Sequence, residues 1–97
     1  MPQTPEKNVI LVGKKPTMSY VVACLTLFNT GAPEVVVRAR GRAISNAVDT
    51  VELLRRAFVK DLEIKEITIG TQELSRYGGG RSGVSTIDIV CSKPKKI

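Results

Sequence analysis

Apolar and polar positions alternate in two different periods along this chain, and each change of period marks an element. Val9–Val12 is a short continuous apolar run closed by Gly13, the pattern of a buried strand. After Lys14-Lys15-Pro16, the apolar positions Met18, Val21, Val22, Leu25 and Phe28 recur at helical spacing, with Thr17 or Ser19 as the candidate cap. Asn29-Thr30-Gly31 ends that helix, Gly31 suits the left-handed position, and Pro33 bars continuation. Glu34–Arg40 alternates with period two: Val35, Val37 and Ala39 share one face, and Val36, Arg38 and Arg40 the other. Beyond Gly41, the positions Ile44, Ala47, Val48, Val51, Leu54 and Phe58 line one face of an amphipathic helix of about four turns. Arg55 falls at the edge of this stripe, and Leu53 lies roughly opposite it.

The last third reads as two strands. Ile64, Ile67 and Ile69 alternate with a slip at Lys65-Glu66, which suits a bulge in a long strand. Val84–Cys91 alternates again, with Ile87, Ile89 and Cys91 on one side. Between them SRYGGGRSG, residues 75–83, is too glycine-rich for a helix and predicts a mobile hairpin tip. The order is β-α-β-α-β-β. It predicts an α/β chain of the α+β two-layer sandwich type: a mixed four-stranded sheet, two helices on one face, and an extended terminal hairpin. Residues 1–97 read as one domain, with a loose lead-in over 1–8 and a basic tail over 93–97.

Composition narrows the chemistry. The 97 residues carry 15 Lys and Arg against 9 Asp and Glu, a formal charge of +6, which favours a polyanionic partner. The longest apolar run, Tyr20–Leu25, is too short to cross a bilayer, so no membrane role is expected. Nothing at the N-terminus resembles a secretory signal, and an intracellular protein is expected. Histidine is absent, which removes His-based triads and His metal sites. Cys24 and Cys91 sit in apolar settings far apart in sequence and read as two buried thiols, although counting alone leaves one disulfide open. Gly13-Lys14-Lys15-Pro16 lacks the longer glycine-rich loop of a nucleotide-binding P-loop. The carboxylates Asp49, Glu52 and Asp88 are isolated and read as surface balance or caps. No catalytic residue, metal ligand or cofactor is expected, and the chain reads as a non-enzyme.

The positive charge is informative through its spacing. Each third of the chain has the same net charge, but Lys14-Lys15 lies in a long acid-free stretch and Arg38, Arg40 and Arg42 form a second acid-free cluster. Parallel early strands would bring both strand-to-helix junctions to one edge of the sheet. There the side chains, with free N–H groups at a helix start, would make a phosphate-binding surface. The competing reading is a merely solvated face. Arg76, Tyr77 and Arg81 in the hairpin tip suit either an ordinary flexible turn or an arm that tracks a phosphate backbone and stacks a base.

From about Asn8 through Ser92 the sequence resembles the archaeal chromatin proteins of the Alba (Sac10b) family. VILVGKKPTMSYVVACLTLFNTG is similar to that family's first strand and helix, RARGRAISNAVDTVELLRRAF to its signature second strand and helix, and VSTIDI to its final strand. The resemblance implies a homodimer that coats and compacts double-stranded DNA with little sequence specificity, also binds RNA, and resides on the chromosome in the cytoplasm. It implies that Lys14 and Lys15 are the central pair facing nucleic acid, that Arg40 and Arg42 support them, and that the hairpin reaches along the minor groove. Lys14 matches a position acetylated in some relatives, which would add an acetyltransferase and a deacetylase as partners. Phe58 matches an aromatic residue at the contact between neighbouring dimers, although its spacing equally makes it the end of the core stripe. Some relatives have lysine where this chain has Asn46, one positive charge fewer beside the arginines. The alternatives are a predominantly RNA-binding role, as a ribonucleoprotein component or RNA chaperone, and a structural protein-interaction module.

Overall fold

The computed structural model describes residues 8–75 and 81–94. Strand β1 (Val9–Leu11) leads into helix α1 (Thr17–Asn29) and strand β2 (Glu34–Arg40). A 3-10 turn (Gly41–Ala43), helix α2 (Ile44–Leu53) and a π turn (Leu54–Phe58) follow, and then the long strands β3 (Glu63–Ser75) and β4 (Arg81–Ser92). The sheet order is β1-β2-β4-β3; β1 and β2 are parallel, while β4 is antiparallel to both β2 and β3. This is the expected mixed four-stranded sheet of an α+β fold. The second crossover passes over the place of β4, so β3 ends up at the sheet edge instead of beside β2.

Both helices cover one face. The alternation of β2 buries Val35, Val37 and Ala39, whose register partners Cys91, Ile89 and Ile87 are buried on the same side. Helix α1 adds Tyr20, Val21, Cys24 and Phe28, and α2 adds Ala47, Thr50 and Val51. Thr50 is the one buried polar side chain among the described residues, and its hydroxyl donates to the Asn46 carbonyl one turn back at 2.7 Å. Cys24 and Cys91 are buried free thiols, as the apolar settings suggest. The slip at Lys65 is a register shift between Ile64 and Glu66.

Five sequence expectations need correction. The core face of α1 is rotated from the expected stripe: Met18 and Val22 are exposed, and Tyr20 and Cys24 are inside. Because Tyr20–Leu25 is apolar all round, spacing alone does not fix the inward face, and packing on the sheet turns Tyr20, Val21, Cys24 and Phe28 inside. Strand β1 is only half-buried, with Leu11 69% exposed, because it is an edge strand covered on one face. No side chain caps α1; Pro16 occupies the cap position, and its carbonyl accepts the Ser19 N–H at 2.9 Å. At the other end the helix closes as expected. Gly31 (φ 101°) lets its own N–H reach the Phe28 carbonyl and the Ala32 N–H reach that of Leu27, both at 3.1 Å.

The fourth correction concerns the stripe of the second helix. The Val59 N–H bonds the Leu54 carbonyl at 2.7 Å, five residues back, which makes the last turn a π turn. The extra residue rotates Phe58 out of line and brings Val59 inward: Leu54 and Val59 are 0% and 6% exposed, Phe58 47%. Leu53, opposite the stripe, is half-buried and packs against the core.

The hairpin is longer than its glycines suggest. Ladder pairing continues through Glu73↔Gly83 to Ser75↔Arg81, so the ladder takes in both ends of the expected tip, whose residues 76–80 lie outside the described residues. Gly83 serves a close approach within the ladder, since a Cβ there would lie 2.9 Å from Thr71 Cγ2. The pairing of β2 with β4 ends at Arg40↔Thr86, so Arg81–Ser85 pair with β3 alone. Those five rungs form a two-stranded arm of roughly 16 Å. The radius of gyration, 14.9 Å, accordingly exceeds the roughly 12.5 Å of a compact chain this long.

Candidate nucleic-acid interface

Because β1 and β2 run parallel in the register Leu11↔Arg38, both strands end at the same edge of the sheet. The Val12 N–H extends the ladder to the Arg38 carbonyl at 2.8 Å, and the chain then turns through Gly13, Lys14 and Lys15 into α1. Next to that turn, β2 delivers Arg40, and Gly41 takes φ 60° to swing the chain into the 3-10 turn that carries Arg42. The arm springs from the same edge: an added Cβ on Gly41 would sit 3.5 Å from Val84 in the arm's root. Lys14, Lys15, Arg40 and Arg42 therefore occupy one end of the molecule, and all four are exposed. Arg40 Nη1 donates to Gln72 Oε1 of β3 at 2.9 Å, a neutral partner that aims the guanidinium toward the arm. Among the described residues, none of the four is paired with a carboxylate.

Arg38 is different. It belongs to the same acid-free run in sequence, but its guanidinium forms a two-pronged ion pair with Asp88 of β4, at 2.9 and 3.0 Å. The two residues are direct cross-strand partners, so the neutralising carboxylate comes from fifty residues away, where local charge counting does not look.

The lysine turn is held more closely than a surface loop requires. The Tyr20 hydroxyl, on a side chain only 8% exposed, accepts the N–H groups of Gly13 at 2.9 Å and Lys15 at 3.0 Å. These two N–H groups belong to the turn ahead of the helix start and are committed within the fold. From α2, Asn46 Nδ2 donates to the carbonyls of Gly13 (3.2 Å) and Lys15 (3.0 Å), and its Oδ1 accepts from Thr17 Oγ1 at 2.7 Å. Neither residue stands out in the sequence. Tyr20 reads there as part of an apolar run and Asn46 as an absent charge. The one signal is general: a tyrosine buried at a helix start needs a partner for its hydroxyl.

The other expected site residues are placed as follows. Arg81 opens β4 at the end of the arm, opposite Ser75. Arg76 and Tyr77 lie outside the described residues. Phe58 is remote from the lysine turn: α2 runs away from it, and Phe58 lines an open cleft at the far end with Phe28, Pro33 and Lys65. Arg55 is paired with Glu52 one turn earlier, at 2.6 Å. Burial, with the charge of Cys91 nearby, pushes the Cys24 thiol up to about 12; burial alone pushes Cys91 up to about 11. These thiols belong to the core, not to the basic end.

Comparisons with known proteins point to one family. The family model described as Alba matches residues 8–71, which include the lysine turn, both helices and the arginine turn. A protein of Methanocella arvoryzae named DNA/RNA-binding protein Alba is 53% identical over 91 residues, 94% of this chain and 95% of its own. The solved structure of Alba from Thermoplasma volcanium superimposes with a TM-score of 0.81 at 46% identity, covering 88% of this chain and 99% of that one. ALBA1 from Trypanosoma brucei gives a TM-score of 0.75 at 31% identity, over 93% and 72%. A model match over more than half the chain, a relative at this identity and solved structures of the same topology lead to one conclusion: the chain belongs to the Alba family.

Proposed function

We propose that this chain is a non-catalytic nucleic-acid-binding protein that coats and compacts double-stranded DNA with little sequence specificity, and that it also binds RNA. The observation that carries this reading is the gathering of Lys14, Lys15, Arg40 and Arg42 beside the root of a protruding arm, all exposed and, among the described residues, without carboxylate partners. Cations presented at a strand end and on turns, not along a helix, suit phosphates rather than base edges. The name of the Methanocella arvoryzae relative, DNA/RNA-binding protein Alba, supports the same partners. That name sets RNA beside DNA, and a predominantly RNA-centred role is the second reading.

The working unit in this proposal is a homodimer. Ile67 and Ile69 of β3 are 56% and 77% exposed and share the helix-side face with their partners Ile89 and Ile87. Neither helix reaches far enough to cover them, and a second subunit would. Phe58, turned outward by the π turn, is free for the contact between neighbouring dimers. Lys14 is exposed and is the proposed acetylation position, where loss of one charge per subunit would weaken phosphate binding. Residence on the chromosome in the cytoplasm follows from the same reading. Parallel titrations onto matched DNA and RNA duplexes test it, with salt-sensitive binding to both expected. Binding to neither at low salt would reject the reading, and binding to RNA alone would establish the second one.

A further inference from the structure

Asn46 carries no charge, yet its amide reaches the segment that bears the lysine pair. Gly13 and Lys15 each have both backbone polar groups committed, the N–H to Tyr20 of α1 and the carbonyl to Asn46 of α2. The hydroxyl of Thr17, donating to Asn46 Oδ1 at 2.7 Å, fixes which way the amide points, so that Nδ2 faces the two carbonyls. Asn46 also lies in the first turn of α2, directly after the 3-10 turn that presents Arg42. One side chain therefore ties the lysine turn to the arginine turn.

We propose that Asn46 is a positioning residue for nucleic-acid binding: it braces the Gly13–Lys15 turn against α2 so that Lys14, Lys15 and Arg42 meet phosphates as one preformed set. This rests on the nucleic-acid reading above. A turn already fixed in the free protein has little ordering cost left when it binds. Without the amide, two carbonyls lose their donor, the turn samples other arrangements, and binding bears the cost of ordering it. No charge is removed, so the number of phosphates neutralised stays the same.

Wild type, Asn46→Ala, Lys14→Ala/Lys15→Ala and the triple variant are titrated onto a labelled mixed-sequence DNA duplex at several salt concentrations. Asn46→Ala is expected to weaken binding about three- to tenfold with an unchanged salt slope, and to have no effect where the lysines are already gone. The Gly13 and Lys15 amide protons should exchange with solvent faster in Asn46→Ala. Thr17→Val, which leaves Asn46 in place but unoriented, should move both readouts in the same direction and less far. Wild-type affinity in Asn46→Ala, or an equal loss with and without the lysines, overturns the brace, as does unchanged exchange at Gly13 and Lys15. If wild type itself fails to bind, the nucleic-acid reading falls instead, and the exchange measurement still decides whether Asn46 holds the turn.

Discussion

Arg38 and Asp88 face each other across the β2–β4 ladder and close a two-pronged ion pair, Nε to Oδ1 at 2.9 Å and Nη2 to Oδ2 at 3.0 Å. Each side chain is about one-third exposed, so the pair contributes no more than about 1 kcal/mol to stability. Its larger consequence is electrostatic, because it takes Arg38 out of the set of cations available to a phosphate. The charge-neutral double variant Arg38→Met/Asp88→Asn should lower stability by about 0.5–1 kcal/mol, seen in thermal melting, and leave duplex affinity within about twofold. Arg42→Ala, by contrast, should lower the magnitude of the salt slope of binding by about 0.9 for each phosphate left without its cation.

Gly41 is the hinge between the two supporting arginines. Its φ of 60° is one that a side chain disfavours, while the space around it is adequate, with Val84 at ordinary van der Waals distance. Gly41→Ala should therefore cost about 1–2 kcal/mol through backbone strain alone. A domain of this size would melt several degrees lower. Affinity should fall along with stability, because Arg40 and Arg42 lie on either side of the hinge.

The π turn makes a prediction opposite to that of the sequence stripe. Val59→Ala should destabilise by about 1.5 kcal/mol, two buried methyl groups at about 0.8 each. Leu54→Ala should cost about 2–5 kcal/mol. Phe58→Ala should cost less than Leu54→Ala despite its larger side chain, since Phe58 is about half exposed. Denaturant melts rank the three. If Phe58 forms the contact between dimers, Phe58→Ala should also make coating of long DNA less cooperative.

The thiols give the chain an alkaline limit. Cys24 and Cys91 titrate near 9 when unfolded and are raised to about 12 and about 11 in the fold, so between these values the unfolded chain has released protons that the folded one retains. Their contribution is fully present below pH 9 and declines as pH rises from 9 through about 11–12. Stability should fall over that window, and a Cys24→Ser/Cys91→Ala variant should lose less over the same range than wild type. At about pH 8 both thiols should resist alkylation until the protein unfolds.

The fold was legible where one period dominated. Strand β2 alternates cleanly, and its buried face is the one the alternation predicts; the slip at Lys65 and the stop at Gly31 were equally readable. Misreadings arose where a second interaction overrode the local pattern. Cross-strand pairing carried Ser75 and Arg81 into the ladder despite their glycine-rich neighbours. One extra residue in the last helical turn exchanged Phe58 for Val59. In α1 the run Tyr20–Leu25 is apolar all round, and packing on the sheet fixed the inward face. At the basic end the cations themselves could be picked out from sequence, because charge and spacing are local properties. The bonds that arrange them were hidden: Asp88 removes Arg38, and Tyr20 and Asn46 hold the lysine turn, through pairings that no periodicity records.

The central claim is that Lys14 and Lys15 meet phosphates directly, and the salt dependence of duplex binding tests it without relying on absolute affinity. Each lysine that neutralises a phosphate of B-form DNA adds about 0.9 to the magnitude of the slope of log affinity against log salt. Wild type and a correctly folded Lys14→Ala/Lys15→Ala variant, titrated side by side, should differ in slope by about 1.8 for each bound subunit. Parallel lines for the two proteins would contradict the account.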